Sequence, residues 1–245
     1  MNNRTKTLWL FLMLSTMLVA KSSTVNYKAT FGIFGKVGTI TNKITQNEKH
    51  YKIETTVLLA GMAKTILGGQ REHYISEGHM ENGMMVSDHY IMTTNKKNQK
   101  KIKEYHLDHI HKTVTKHYKK WKNGKVVRDS TQQLTFYAKN DLLTLYFNMD
   151  KAIKEKGKVY IMKAIGLEKQ KGIVQVTVPS DAQSARYKKD LGPTANWYAK
   201  ARIVQENFRK KSGDILLSVA ADGFIQKAVI KDILMFGDAK LIRTK

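Results

Sequence analysis

The sequence predicts a mainly β protein, built from a single large antiparallel sheet that is strongly curled or forms a half-open barrel, with one main helix. After residue 20, most of the chain alternates apolar and polar residues with a period of two, as half-buried antiparallel strands do. Turn signals such as Asn82-Gly83 and Asn123-Gly124 separate the alternating segments. A flat sheet of so many strands would curl or split, so a two-sheet β-sandwich is the alternative.

The first half of the chain supplies six alternating segments. They are Tyr27–Ile33, Val37–Thr45, His50–Leu59, Gln70–Ser76, Met84–Thr93 and Lys101–Trp121, and we expect the last to break near Asp108. A short apolar segment, Gly61–Leu67, interrupts this series between glycines. Its length favours either one helical turn or a loop.

The main helix is predicted over Asn140–Ile153, where apolar residues recur at spacings of three and four. Asn140 or Asp141 is the expected N-cap. Strands then resume at Lys158–Ala164, Gly172–Val178, Trp197–Phe208, Ile215–Val219 and Phe224–Ile242, the last with a bend at Phe236-Gly237. The polar segment Ala182–Leu191 is expected to be helical or irregular.

The N-terminus has the pattern of a secretory signal peptide. Arg4 and Lys6 precede the apolar run Leu8–Ala20, which is shorter than the roughly 20 residues of a membrane-spanning helix. We therefore expect residues 1–20 to be cleaved, leaving a single β-rich domain over 21–245 in the periplasm. The alternative is an uncleaved anchor in the inner membrane, with the domain facing the periplasm. The chain contains no cysteine, so stability has to come from the core and the sheet.

The composition is strongly basic, with a formal net charge of +23. Lysine accounts for most of this charge, since 36 of the 43 basic residues are lysine. Specific nucleic-acid recognition favours arginine, so a nucleic-acid partner is not expected. A solvated basic surface is the simplest interpretation, and an anionic membrane surface is a possible partner.

No motif in the sequence identifies a catalytic residue or a cofactor. The chain has no Gly-x-Ser-x-Gly elbow and no phosphate-binding loop, so we assign no catalytic residue and no cofactor. No metal site is predicted either. The nearest candidates are His109, His111 and His117, which would share one face if their strand were continuous.

The main indication of function in the sequence comes from methionine and aliphatic side chains. Flexible methionines suit a surface that accepts acyl chains or apolar peptides, although any one of them can equally fill a core. The residues predicted to contact a hydrophobic ligand are Leu58, Leu59, Met62, Ile66, Leu67, Met84 and Met149.

Three stretches resemble an exported bacterial family known as domain of unknown function 3108. They are Tyr27–Thr39, Asn140–Phe147 and Asp222–Leu241, which are similar to that family's opening hairpin, helix start and closing strands. The resemblance implies a periplasmic, antiparallel, partly closed sheet and carries over no activity and no functional residue.

Location, fold and composition together predict a non-enzymatic periplasmic protein that binds a lipid-like or hydrophobic ligand inside a curved sheet. An envelope scaffold or interaction protein without a ligand, its protein partner unidentified, is the alternative. A hydrolase-type enzyme is the third hypothesis.

Overall fold

The structure is a computed structural model that describes residues 20–66, 69–168, 171–203, 213–231 and 237–244. The strands of the first half are β1 (Lys21–Phe31), β2 (Lys36–Gln46), β3 (His50–Leu59), β4 (Arg71–Glu81), β5 (Met84–Lys96), β6 (Gln99–Asp108), β7 (Thr113–Lys122) and β8 (Lys125–Gln133). Those of the second half are β9 (Val159–Lys163), β10 (Ile173–Thr177), β11 (Trp197–Ile203), β12 (Asp214–Val219), β13 (Ile225–Ile230) and β14 (Ala239–Thr244).

All fourteen strands of the described ranges belong to one antiparallel sheet, in the order β8-β7-β6-β5-β4-β3-β2-β1-β14-β13-β12-β11-β10-β9. β1 pairs with β14, which joins the two halves of the chain in the middle of the sheet. β8 and β9 stand at the two ends of this order, so the sheet is not closed into a barrel. The predicted fold class is confirmed, and the two-sheet sandwich is wrong because the ladder continues from one end to the other.

The two Asn-Gly signals form the hairpin turns predicted for them. Asn82 and Gly83 have φ of 51° and 75°, and Asn123 and Gly124 have φ of 51° and 78°. Two successive residues with positive φ are what a two-residue hairpin turn with the twist of its flanking strands requires. These turns connect β4 to β5 and β7 to β8.

Three α-helices lie among the described residues, α1 (Gly61–Ile66), α2 (Leu142–Ala152) and α3 (Ala185–Leu191), and Gly32–Phe34 forms one 3₁₀ turn. α2 is the predicted main helix, and Asp141 is its N-cap in a capping box with Thr144. Asn148 fixes the helix to the sheet, because its side-chain amide accepts from Met85 N at 3.0 Å and donates to Met85 O at 2.8 Å.

Asp141 also joins the helix start to the sheet. Its carboxylate accepts hydrogen bonds from Ser76 Oγ at 2.5 Å and Ser87 Oγ at 2.6 Å, and it is fully buried. Burial raises the pKa of Asp141, while the hydrogen bonds from the two serines act in the opposite direction. All of these donors belong to the chain itself, so Asp141 serves to hold the start of α2 against β4 and β5.

The main core lies on one face of the sheet, while a smaller cluster between α3 and the sheet lies on the other. Ile53, Ser76, Tyr90 and Tyr105 are successive cross-strand partners from β3 to β6, and all four are buried. We call the face that carries them the inner face and the opposite one the outer face. The main core cluster combines residues of β3, β10, β12 and α2, which lie far apart in the strand order.

The observed elements differ from the predicted ones mainly at their ends. β1 begins at Lys21 instead of Tyr27, because the polar residues before Tyr27 pair with β2 down to Gln46. The predicted strands Trp197–Phe208 and Phe224–Ile242 continue into residues 204–212 and 232–236, which lie outside the described part of the chain. Residues 1–19 of the predicted export signal also lie outside it.

Within the described residues, none of the helices has the length and apolar character needed to cross a membrane.

Candidate functional site

The inner face of β6, β7 and β8 is basic where the neighbouring strands are apolar. Side chains two residues apart on a strand point to the same face, so Lys101 and Lys103 share the face of the buried Tyr105. Lys116 of β7 lies directly across from Tyr105. These strands border a cavity of about 260 Å³, lined by Lys101, Lys103, Lys116, Tyr118, Arg128, Ser130 and Gln132. We call it the basic cavity.

A carboxylate from the other end of the sheet reaches Lys116, one of the residues that line this cavity. Glu168, in the loop after β9, lies 2.8 Å from Lys116 Nζ and accepts a hydrogen bond from the Tyr105 hydroxyl. Burial alone would raise its pKa, but the hydrogen bonds from Lys116 and Tyr105 and the charge of Lys103 lower the pKa of Glu168 to about 2. Glu168 is therefore ionised at neutral pH.

The cavity keeps an excess of positive charge after this pairing. Glu168 balances Lys116, and the lining still includes Lys101, Lys103 and Arg128. The Arg128 guanidinium lies 5.2 Å from the Tyr118 ring centre, an arrangement that holds the cation in place over an aromatic face. Cationic groups beside hydroxyl and amide donors suit a carboxylate or phosphate group.

The basic cavity is continuous with apolar parts of the inner face. Lys103 lies directly across from Met92 in the β5–β6 register, and Met92 lies across from Tyr74 of β4. Both apolar neighbours are half-buried. Val57 and Leu59 of β3 also point inward and are half-buried, since they alternate with the outer-face residues of their strand. The inner face thus changes from apolar to cationic between adjacent strands.

A second cavity, of about 280 Å³, lies between α2 and the middle of the sheet, where β1 and β2 pair. Met85, Phe147 and Phe224 form its apolar wall. Its rim carries both acidic and basic side chains, including Asp150 and Lys151, so it has no preference for one sign of charge. The basic cavity is the more selective of the two.

Those of the predicted ligand-contacting residues whose side chains are described do not lie in one site. Met149 is 7% exposed and belongs to the core, and Leu58 is 41% exposed because it points to the outer face. Met84 and Leu58 lie opposite Glu81 and Arg71 of β4, at its two ends. The two ends of β4 are ten residue steps apart, a distance of about 33 Å along an extended strand.

Of the other predicted contacts, Leu59 is on the inner face at the Arg71 end of β4, half-buried. The side chains of Met62 and Ile66, and all of Leu67, lie outside the described residues.

The three candidate histidines are also separated. The strand is not continuous, because the chain turns at residues 109–112 between β6 and β7. His109 Nε2 lies 2.9 Å from Asp88, His111 Nδ1 2.7 Å from Asp108 and His117 Nε2 2.6 Å from Asp129. The continuous strand on which they would share one face is therefore not present, and each histidine pairs with a different aspartate.

Sequence reasoning missed Lys101, Lys103, Lys116 and Arg128 as a group. A pattern of alternating lysines is present in β6 and β7, but alternation alone does not show which face is concave. No sequence pattern indicated Glu168, because it is far from its partners along the chain and comes close to them only in the curled sheet.

Fold and site together define a class: an open, curled antiparallel sheet with a partly apolar, partly cationic inner face. Residues 26–147 match the model of a family described as "Protein of unknown function (DUF3108)", which confirms the resemblance to that family. The matched residues run from β1 into α2 and include all three strands that border the basic cavity. The similarity noted at Asp222–Leu241 lies beyond them.

A solved structure shares the fold. It is a beta-barrel-like protein of domain of unknown function DUF1849 from Brucella abortus, with a TM-score of 0.51 over 93% of this chain and 97% of that chain. The two sequences are 10% identical, so the likeness concerns the fold alone. No curated protein matches this chain.

Proposed function

We propose that this protein is a non-enzymatic binding protein for a lipid-like ligand with an anionic group, held on the inner face of its open sheet. The observation that carries the proposal is that an apolar and a cationic side chain lie side by side on that face. Met92 and Lys103 are cross-strand neighbours, so an acyl chain and its charged group would each meet a matching surface.

The electrostatic part of this binding is substantial. A cation at about 4 Å from an anion contributes roughly 1 kcal/mol in water and more where the site is partly desolvated. Lys101, Lys103 and Arg128 all line the same cavity, and together they would favour an anionic ligand over a neutral one by at least about tenfold.

The apolar part relies on side chains that the core leaves half-buried. Val57, Leu59, Met92 and Tyr74 keep apolar surface accessible on the inner face. Covering such surface releases about 25 cal/mol for each Å² removed from water. The Tyr74 hydroxyl donates a hydrogen bond to the Glu72 carboxylate, so these polar groups border the apolar part of the inner face.

We also propose that the protein acts in the periplasm, where its export signal would deliver it. The N-terminal sequence pattern supports this location, and the inner-membrane anchor remains its alternative. The net charge of +23, which becomes +21 when Arg4 and Lys6 are removed with the signal, would bring the protein to anionic membrane surfaces, where lipid-like ligands are found.

The experiment compares oleate, its neutral analogue oleyl alcohol and acetate, by calorimetry on the purified protein. We expect oleate to bind at least about tenfold more tightly than oleyl alcohol, and acetate to bind weakly because it lacks a chain. The variant K101E/K103E reverses two charges of the basic cavity and should weaken oleate binding at least about tenfold. The matched variant K28E/K43E makes the same charge change on the outer face and should leave it unchanged.

A second pair of variants tests the apolar part. Leu58 and Leu59 are adjacent in β3 and point to opposite faces. Leu59→Asp should abolish oleate binding, and Leu58→Asp should not. Equal effects of the paired variants, or failure of the unmodified protein to bind oleate, would contradict the proposal and favour a scaffold without a ligand.

A further inference from the structure

A cluster of two histidines and one aspartate lies outside the basic cavity. His79 of β4 and His109, in the turn after β6, both direct a ring nitrogen at Asp88 of β5. His79 Nδ1 lies 2.9 Å from Asp88 Oδ1 and 3.0 Å from Oδ2, and His109 Nε2 lies 2.9 Å from Oδ1. Three separate chain segments therefore converge on one point.

A β-bulge places the aspartate in this cluster. In the β4–β5 register Glu77 faces His89 and Gly78 faces Ser87, so no β4 residue lies directly across from Asp88. Bulges of this kind redirect a side chain and are frequent beside functional sites. The interruption is local, since the register is regular on both sides of it.

Gly78 makes the bulge possible. A Cβ at this position would lie 2.0 Å from the Val86 carbonyl oxygen and 2.9 Å from the Asp88 backbone nitrogen. Both are backbone atoms, which cannot move aside as the end of a side chain could. Only glycine fits here, and the backbone is shaped around the position of Asp88.

A neighbouring hydroxyl orients one of the two imidazoles. His109 Nδ1 lies 2.6 Å from the Tyr137 hydroxyl, which leaves Nε2 for Asp88. A hydrogen bond to the second ring nitrogen is the usual way in which proteins fix a metal-binding histidine. The nearby cation Lys139 is paired with Glu81 at 2.6 Å, so its charge is compensated.

We propose that His79, Asp88 and His109 bind a divalent transition-metal ion of the Zn²⁺ type. Two imidazoles and a carboxylate are ligands that such ions accept, and three protein ligands leave open coordination positions. The donor atoms lie within 4.8 Å of one another. Tetrahedral ligands with bonds of about 2.1 Å stand about 3.4 Å apart, so the observed separations of 2.9 Å need to open by only about 0.5 Å to admit the ion.

The geometry distinguishes this cluster from a similar one on the outer face. His89, Glu104 and His106 also lie close together, but the two rings stack at 4.4 Å with 15° between their planes. The nitrogen lone pairs of stacked rings lie in two nearly parallel planes, so they do not converge on one ion between the rings. The rings of His79 and His109 stand at 86° to each other, so their lone pairs can converge.

The test is a titration of the full chain, purified without a histidine tag and treated with a chelator, using ZnCl₂ in a calorimeter. We expect about one Zn²⁺ per chain. His79→Gln and His109→Gln should each weaken binding at least about tenfold. The matched variants His89→Gln and His106→Gln remove the same chemical group from the other cluster and should bind like the unmodified protein.

Cobalt provides an independent readout. Co²⁺ bound through imidazole and carboxylate should give a visible absorption band that His79→Gln abolishes and His89→Gln retains. Circular dichroism of each variant separates loss of a ligand from loss of the fold, and the half-exposed His79 is the safest position to change. Absence of stoichiometric binding, or binding that depends on His89 and His106, would overturn the proposal.

Discussion

Replacing Glu168 by glutamine should destabilise the protein in a pH-dependent way. The Glu168 side chain is 24% exposed and that of its partner Lys116 is 14% exposed, so solvent screens the pair only in part. Its pKa is lowered from an ordinary value of 4.5 to about 2, despite burial, by Lys116 and Tyr105. A shift of this size corresponds to about 3 kcal/mol.

The sign of the pH dependence follows from the lowered pKa. Because the folded state holds the ionised carboxylate more strongly than the unfolded state does, the stabilisation is complete above about pH 4.5 and is lost as the pH falls towards 2. Glu168→Gln should therefore lose about 3 kcal/mol at pH 7. The difference from the unmodified protein should shrink steadily below about pH 4.5.

Urea unfolding followed by circular dichroism at pH 7, 5 and 3.5 measures this difference. Glu77→Gln is the matched control, because Glu77 lies 2.9 Å from Lys52 but both side chains are more than 40% exposed. An exposed pair of this kind contributes less than about 1 kcal/mol. Equal losses in the two variants, or a loss at Glu168 that does not change with pH, would refute the assignment of a strong ion pair at the basic cavity.

Two further predictions concern the buried N-cap of α2 and the bulge at Gly78. Asp141→Ala should cost about 3 kcal/mol in urea unfolding, because it leaves the hydroxyls of Ser76 and Ser87 without their acceptor, and Asp141→Asn should cost less. Equal stability of the two variants would contradict this role. Gly78→Ala should cost at least about 2 kcal/mol, because the new Cβ meets a carbonyl oxygen at 2.0 Å. Gly83→Ala has open space at a φ of 75° and should lose only about 1 kcal/mol, so equal losses at the two glycines would contradict the steric argument.

The sequence was sufficient for the elements that depend on local chemistry. The two Asn-Gly turns formed as predicted because positive φ at successive residues is a local requirement. The main helix was found for the same reason, since Asp141 satisfies the N–H groups next to it in the chain. The curled sheet followed from the number and alternation of the strands.

The candidate site was not predictable in the same way. Lys103 and Met92 meet because of the β5–β6 register, and the sequence does not show that this face is concave. The bulge at Asp88 depends on a strand glycine, Gly78, and such a glycine is a signal that could have been read. A shared face for the three histidines required a continuous strand, and the chain instead turns after Asp108.

The openness of the sheet and the charge of its inner face depend on each other. If β8 paired with β9, the side chains of Lys101, Lys103 and Arg128 would be enclosed, and the described residues that line the cavity include no carboxylate, since Glu168 pairs with Lys116 from outside the lining. Burying each of these cations would destabilise the fold by several kcal/mol. In total this exceeds the stabilisation that the hydrogen bonds of one short strand pair would provide. The cations therefore favour an open edge, and that edge keeps the basic cavity accessible to an anionic ligand. A sheet evolved only for stability would have apolar residues at these positions and could close.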